Sequence, residues 1–351
     1  MGSVKDLKVI EKPSPDKMGV GRFHFSDRYS VFDWGEMPDH IDGKGAALCL
    51  MGAYCFEWLE SKGVETHYRG LVDENGEVVT FEDLTAPTST MEVKLVNVYQ
   101  PETRDVDGKV AYDYSFYTPN LKNCLIPLEV IYRNGLPEGS SVFKRLAQGK
   151  VTIEDLGLDH HPRPGERFTK PIFDVSTKLE ETDRYVTWNE AQKISGLTTQ
   201  EVDEVKTVLS KVNDAISRIA THAALINEDG KIELAFNTDR QLMVVDIVGT
   251  LDECRFTYGG VHVSKEVARQ FYKKTSWYGN VEEAKKTAET QGVKDWKALC
   301  KSQPPKLDAK LKNIISGMYT ATANELTDRK LFDAPRLAEV IKEYREMGEK
   351  K

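Results

Sequence analysis

Lys231, Glu233 and Asp246 are the residues of this chain whose types and spacing bear most directly on chemistry. Two β-like runs, Lys231-Ile232-Glu233-Leu234-Ala235-Phe236 and Gln241-Leu242-Met243-Val244-Val245-Asp246, flank the turn-like Asn237-Thr238-Asp239-Arg240, the pattern of a β-hairpin. With a four-residue loop, Phe236 faces Gln241, Glu233 pairs with Val244 and Lys231 pairs with Asp246. The three charged residues then share one face, with Glu233 and Asp246 as diagonal neighbours roughly 7–8 Å apart. Two such carboxylates repel each other unless a cation intervenes, and oxygen-only ligands completed by phosphate oxygens suit magnesium. The competing reading is a solvated strand face, and a loop one residue longer or shorter would break the geometry.

The elements around this hairpin follow from pattern. The first hundred residues alternate short β-like runs, Arg22-Phe23-His24-Phe25 and Met91-Glu92-Val93-Lys94-Leu95-Val96, with a helical stretch from Ala46 to Ser61. The polar, turn-rich stretch 101–122 reads as an insertion or an extra hairpin. Thr198 and Glu201 form a capping-box pattern ahead of an apolar stripe of Val202, Val205, Val208, Leu209, Val212, Ile216 and Ile219, which predicts a core-facing helix. Glu228-Asp229-Gly230 reads as a turn before the hairpin, and residues 334–347 as a charged terminal helix.

Composition narrows the function. A length of 351 residues with 40% hydrophobic and 30% charged content suggests two lobes of a cytoplasmic globular protein. No apolar run approaches the roughly 20 residues of a membrane span, and neither a signal peptide nor a lipid anchor is expected. The net charge of -8 argues against nucleic acid as a partner. Cys49, Cys55, Cys124, Cys254 and Cys300 are too dispersed for a zinc site and read as reduced thiols, mostly buried. His160-His161 lies in a Pro-rich loop and reads as unliganded.

A run of collinear motifs resembles the SAICAR synthetases. It comprises Gly2-Ser3-Val4-Lys5-Asp6, Ser26-Asp27-Arg28-Tyr29-Ser30-Val31-Phe32-Asp33, Gly43-Lys44-Gly45, Met91-Glu92-Val93-Lys94 and Ile126-Pro127-Leu128-Glu129-Val130-Ile131-Tyr132-Arg133-Asn134 with Gly139-Ser140. It continues through Ser176-Thr177-Lys178-Leu179-Glu180-Glu181, Gly249-Thr250-Leu251-Asp252-Glu253-Cys254-Arg255-Phe256 and Arg269-Gln270 to Gln303-Pro304-Pro305-Lys306-Leu307. The resemblance implies an α+β fold of two lobes with ATP in the cleft: residues 1–97 a β-rich lobe over the nucleotide, 98–328 a larger catalytic lobe, and 329–351 a helical extension.

It also implies an ATP-dependent ligase that joins a carboxyaminoimidazole ribonucleotide to the amine of aspartate through an acyl phosphate. Magnesium would sit on Glu233 and Asp246, the ATP phosphates on Lys5, Lys94 and Lys231, and the reacting groups near Lys178, Asp183 and Arg269. Asp33, Arg133, Ser140 and Arg255 would hold the substrates. The partners would be small molecules, and a homo-oligomer is left open.

The departures cluster. Ser3 replaces the first lysine of the family's opening segment, and Ile247 the Glu after the metal Asp. Glu253-Cys254 replaces a Ser-Ser pair that holds the nucleotide phosphate, and Thr182 and Tyr185 replace His and Asn. A glutamate beside a phosphate repels it, so two further readings stand: a paralogous ligase acting on a different carboxylate, and a non-catalytic nucleotide-binding protein.

Overall fold

The computed structural model describes residues 4–106, 109–263, 265–293 and 295–349. Gly2, Ser3, Asp107 and Gly108, which enter the reading above, lie outside the described residues.

Among the described residues, one antiparallel sheet comprises β1 (Lys5–Glu11), β2 (Gly19–Phe25), β3 (Tyr68–Val72), β4 (Val78–Val79) and β5 (Thr90–Leu95), in the order β1-β2-β5-β3-β4. Helix α1 (Lys44–Ser61) packs on this sheet. It starts two residues before the expected Ala46, because Asp27 accepts the backbone N–H groups of Gly43 and Gly45 at its N-terminus. The stretch 101–122 does contain a hairpin: β6 (Glu102–Val106) and β7 (Lys109–Asp113) form a separate two-stranded ribbon.

The second antiparallel sheet is built from β8 (Cys124–Leu136), β9 (Glu166–Thr177), β10 (Ile226–Phe236), β11 (Leu242–Val245), β12 (Cys254–Tyr258) and β13 (Val261–His262). The order is β13-β12-β10-β8-β9, with β11 also on β10. Helix α2 (Ser141–Ala147) follows β8, and α3 (Trp188–Ser195) and α4 (Thr199–Ala220) pack on the sheet. The capping box of Thr198 and Glu201 forms, and the apolar stripe of α4 is buried except for half-buried Val208. Helices α5 (Glu266–Lys273), α6 (Ser276–Gln291), α7 (Ala309–Thr327) and α8 (Leu337–Glu349) complete the chain. The terminal helix α8 buries Leu337, Val340 and Ile341 beside α7.

The expected turn at 228–230 is instead part of continuous strand β10. The bulge between Asn227 and Asp229 absorbs the irregularity, and Gly230 is required because a Cβ there would lie 2.3 Å from the Tyr132 hydroxyl and 2.9 Å from the Cys254 sulfur. The two sheets share one hydrophobic core, since α1 packs on α4 and α7 as well as on its own sheet. They also meet directly: Thr66 bridges Val244 of β11, and the His67 N–H donates to the Val244 carbonyl at 3.0 Å. No helix among the described residues is long and apolar enough to cross a membrane.

Candidate active site

The hairpin that carries Glu233 and Asp246 is present, but its register differs by one residue from that expected. Glu233 pairs with Val245 and Phe236 with Leu242, leaving the five-residue loop 237–241. The Asn237 side chain causes this: its Oδ1 accepts the N–H groups of Asp239 and Gln241, both at 2.9 Å, and Arg240 takes a left-handed backbone. In an extended strand the slip would carry Asp246 to the opposite face. It does not, because Asp246 lies just past β11 with φ of +67°, and its side chain returns to the face of Lys231 and Glu233.

The face holds one more carboxylate than expected. Glu129 of β8 is directly opposite Glu233 of β10, so the buried acids Glu129 and Glu233 and the Asp246 carboxyl form a row across three strands. Lysines interleave with them. Glu129 Oε1 accepts from Lys178 at 3.0 Å and from Lys231 at 2.9 Å; Lys178 also pairs with Glu233 at 2.7 Å, and Lys5 pairs with Asp246. Burial pushes the Asp246 carboxyl up, but Lys5, Lys231 and Lys178 outweigh it and hold the group ionised, well below the carboxylate range. Glu233 moves the other way, raised by burial and then by the charge of Asp246. Burial keeps His67 neutral, its pKa lowered to about 4, and its Nε2 contacts the Asp246 carbonyl at 3.1 Å. Lys94 stands behind this contact with its ammonium on the Thr66 carbonyl at 3.3 Å.

This row suits a divalent cation. Glu233 Oε1 is buried and is met by the ammonium groups of Lys178 at 2.7 Å and Lys231 at 3.5 Å, so a cation at this oxygen would take a position that the lysines now neutralise. No group of three or more His, Cys, Asp or Glu converges among the described residues, so a metal here would need oxygens from a ligand to complete its shell. His160 is held by Asp159 at 2.7 Å and Glu166 at 2.6 Å on the surface, away from this row. The cysteines are free thiols, four of them buried.

A cleft of about 620 Å³ adjoins the row, with Glu129 and Lys231 on its floor and Asp33, Arg133, Asp183, Arg255 and Arg269 on its walls. Arg133 is only 2% exposed and is occupied by Asp174 at 3.1 Å, Asp229 at 3.2 Å and the Tyr185 hydroxyl at 3.3 Å. Arg145 stacks on Tyr185 and pairs with Asp174, while Arg255 pairs with Asp229. Arg133 thus braces a buried network in place of offering a free fork. Ser140 is the N-cap of α2, its hydroxyl accepting the Val142 N–H, and its neighbour Ser141 faces the cleft and donates to Tyr185. Asp33, at φ of +61°, meets Lys285 at 2.6 Å on the rim. Asp183 is exposed on the cleft wall, and its carboxyl is raised to about 6, first by partial desolvation within the cleft and then by Glu129.

The altered phosphate loop behaves differently from its sequence expectation. Glu253 turns to Lys231 at 2.9 Å and is neutralised, and Asp252 is buried against Lys44 at 2.7 Å and the Tyr319 hydroxyl at 2.6 Å. Ile247 is buried where a Cβ on Gly52 would clash with it at 2.0 Å. Sequence reasoning missed Glu129, Asp174, Asp229 and Lys265. Glu129 had a legible signal, a lone carboxylate in the apolar run Cys124–Tyr132.

Comparison with known proteins agrees with this architecture. The SAICAR synthetase family model matches residues 14–291. A putative phosphoribosylaminoimidazole-succinocarboxamide synthase of Archaeoglobus fulgidus is 48% identical over 349 residues, covering 99% of this chain and all of that protein. The phosphoribosylaminoimidazole-succinocarboxamide synthase of Thermoplasma volcanium is 32% identical, covering 88% of this chain and 93% of its own length. The fold is also that of the SAICAR synthase from Saccharomyces cerevisiae complexed with SAICAR, at TM-score 0.59, 20% identity and 94% coverage of both chains. A SAICAR synthetase in complex with ADP gives TM-score 0.54 at 19% identity, covering 88% of this chain and 99% of its own. The chain belongs to the SAICAR synthetase family of ATP-dependent ligases.

Proposed function

We propose that this protein uses ATP to join the carboxylate of a carboxyaminoimidazole ribonucleotide to the amine of aspartate. The observation that carries the reading is the row Glu129, Glu233 and Asp246 with its interleaved lysines, which meets the floor of a cleft at Glu129 and Lys231. The γ-phosphoryl group of ATP passes to a carboxylate oxygen, ADP leaves, and the amine nitrogen then attacks the acyl carbon and expels phosphate. Glu233 and Asp246 would hold magnesium, which supplies charge neutralisation at the phosphates when bound. Lys5 and Lys231 exchange carboxylate for phosphate partners, Lys94 supports His67 behind Asp246, and Lys178 positions the reacting carboxylate.

Asp183 accepts the proton that the amine must lose, a role suited to a carboxyl poised at about 6. Residues 4–97 serve as the lobe that covers the nucleotide. The ion pairs of Glu253 and Asp252 support the ribonucleotide over a different carboxylate, because neither acid presents a free charge to an incoming phosphate. The test is ADP release by the purified protein with ATP and magnesium, with aspartate and the carboxyaminoimidazole ribonucleotide added singly and together. Release that needs both co-substrates is expected; release with neither, or none at all, contradicts the reading.

A further inference from the structure

Seven cationic side chains line the cleft, and six of them have a carboxylate partner. Arg133 pairs with Asp174 and Asp229, Lys231 with Glu129 and Glu253, Arg255 with Asp229, Arg269 and Lys273 with Glu266, and Lys285 with Asp33. Lys265 lines the same cleft and, among the described residues, has no carboxylate within ion-pairing distance.

Its position makes this costly. Lys265 occupies the N-cap of α5, where the unpaired N–H groups and the helix dipole disfavour a cation. Its side chain is half-buried, and burial lowers its pKa although the charges of Asp252 and Glu253 act in the opposite sense. Those two acids are engaged elsewhere, with Lys44 and Lys231. A cation that is desolvated, set against a helix dipole and left unpaired inside a cleft breaks local stability rules, as groups awaiting a ligand do.

We propose that Lys265, with Arg269 one turn along α5, binds an oxyanion of a co-substrate other than ATP. The assignment rests on the ligase reading above. Both co-substrates bring such a group, the ribonucleotide a phosphate monoester and the amino acid a carboxylate, and the chemistry needed is the same: a point charge aimed at anionic oxygens, reinforced by the N-terminus of a helix.

The test compares wild type with Lys265→Met and Lys265→Arg, each checked by thermal melting. The Met variant should raise KM for the ribonucleotide or for aspartate about ten- to a hundredfold, the scale of a lost charged hydrogen bond. KM for ATP should stay unchanged, kcat should change little, and the Arg variant should recover most of the loss. Calorimetry with ribose 5-phosphate and with succinate identifies the source, since only the probe that shares the bound group should lose affinity in the Met variant. Unchanged KM values and unchanged probe binding would overturn the assignment, as would a rise confined to ATP. If the wild-type protein shows no co-substrate-dependent ATP use, the ligase reading fails by itself, and the two probes still decide whether Lys265 binds an oxyanion.

Discussion

The floor of the cleft and the α5 wall beside it treat charge in opposite ways. On the floor, and along the row that adjoins it, each carboxylate is already capped: Glu129 by Lys178 and Lys231, Glu233 by Lys178, Asp246 by Lys5. On the wall Lys265 feels the charges of Asp252 and Glu253 but, among the described residues, has no carboxylate within ion-pairing distance. The difference teaches what each region waits for. In the proposed reading the floor is a balanced lattice whose ammonium groups would pass from the carboxylates to the phosphates of a bound nucleotide. The wall leaves the Lys265 ammonium without an ion-pair partner, a place that the oxyanion proposed above would fill.

Breaking the floor should have the largest effect. Asp246→Asn removes the acid that three lysines hold ionised, and ATP turnover should fall at least about a thousandfold with the fold retained. ADP release and a thermal melt check both parts, and full activity would remove the metal assignment.

Asp183→Asn comes next, with a loss of about a hundredfold if Asp183 is the base. Because its carboxyl is raised to about 6, the active carboxylate form is present above that pH and lost below it. The wild-type kcat/KM for aspartate should therefore climb as pH rises through about 6 and then level off, and that limb should vanish in the variant.

Glu129→Gln sharpens the comparison, since one oxygen of Glu129 serves two lysines. A neutral amide should loosen both and lower kcat about tenfold or more, measured with saturating substrates. A change in KM alone would show that Glu129 only tunes binding.

The smallest effect is expected from Glu253→Ser. Lys231 keeps Glu129 and Glu233 as partners, so KM for the ribonucleotide should shift less than about fivefold. A large improvement in affinity would mean that Glu253 does repel the phosphate.

Much of the fold was legible because periodicity and capping are local properties. The α4 stripe, the β10–β11 hairpin and the extra ribbon at 102–113 all follow from short-range pattern. The loop of that hairpin was misjudged by one residue because a single side chain, Asn237, sets its length through two hydrogen bonds. Two errors then cancelled at Asp246, whose left-handed backbone restores the face that the slip would have lost. The turn expected at Glu228-Asp229-Gly230 failed for a tertiary reason: Gly230 is there for Tyr132, which lies on another strand. Arg133 and Ser140 could be located but not interpreted, because Asp174, Asp229 and Tyr185 reach Arg133 from other strands and a loop, and because Ser140 proved to be a helix cap.

The most direct test of the account is calorimetric titration of ADP into the protein with and without magnesium, in wild type, Glu233→Gln and Asp246→Asn. Magnesium should strengthen ADP binding at least about tenfold in wild type and leave it unchanged in both variants. Equal magnesium dependence in all three proteins would contradict the claim that these two carboxylates hold the metal that carries the nucleotide.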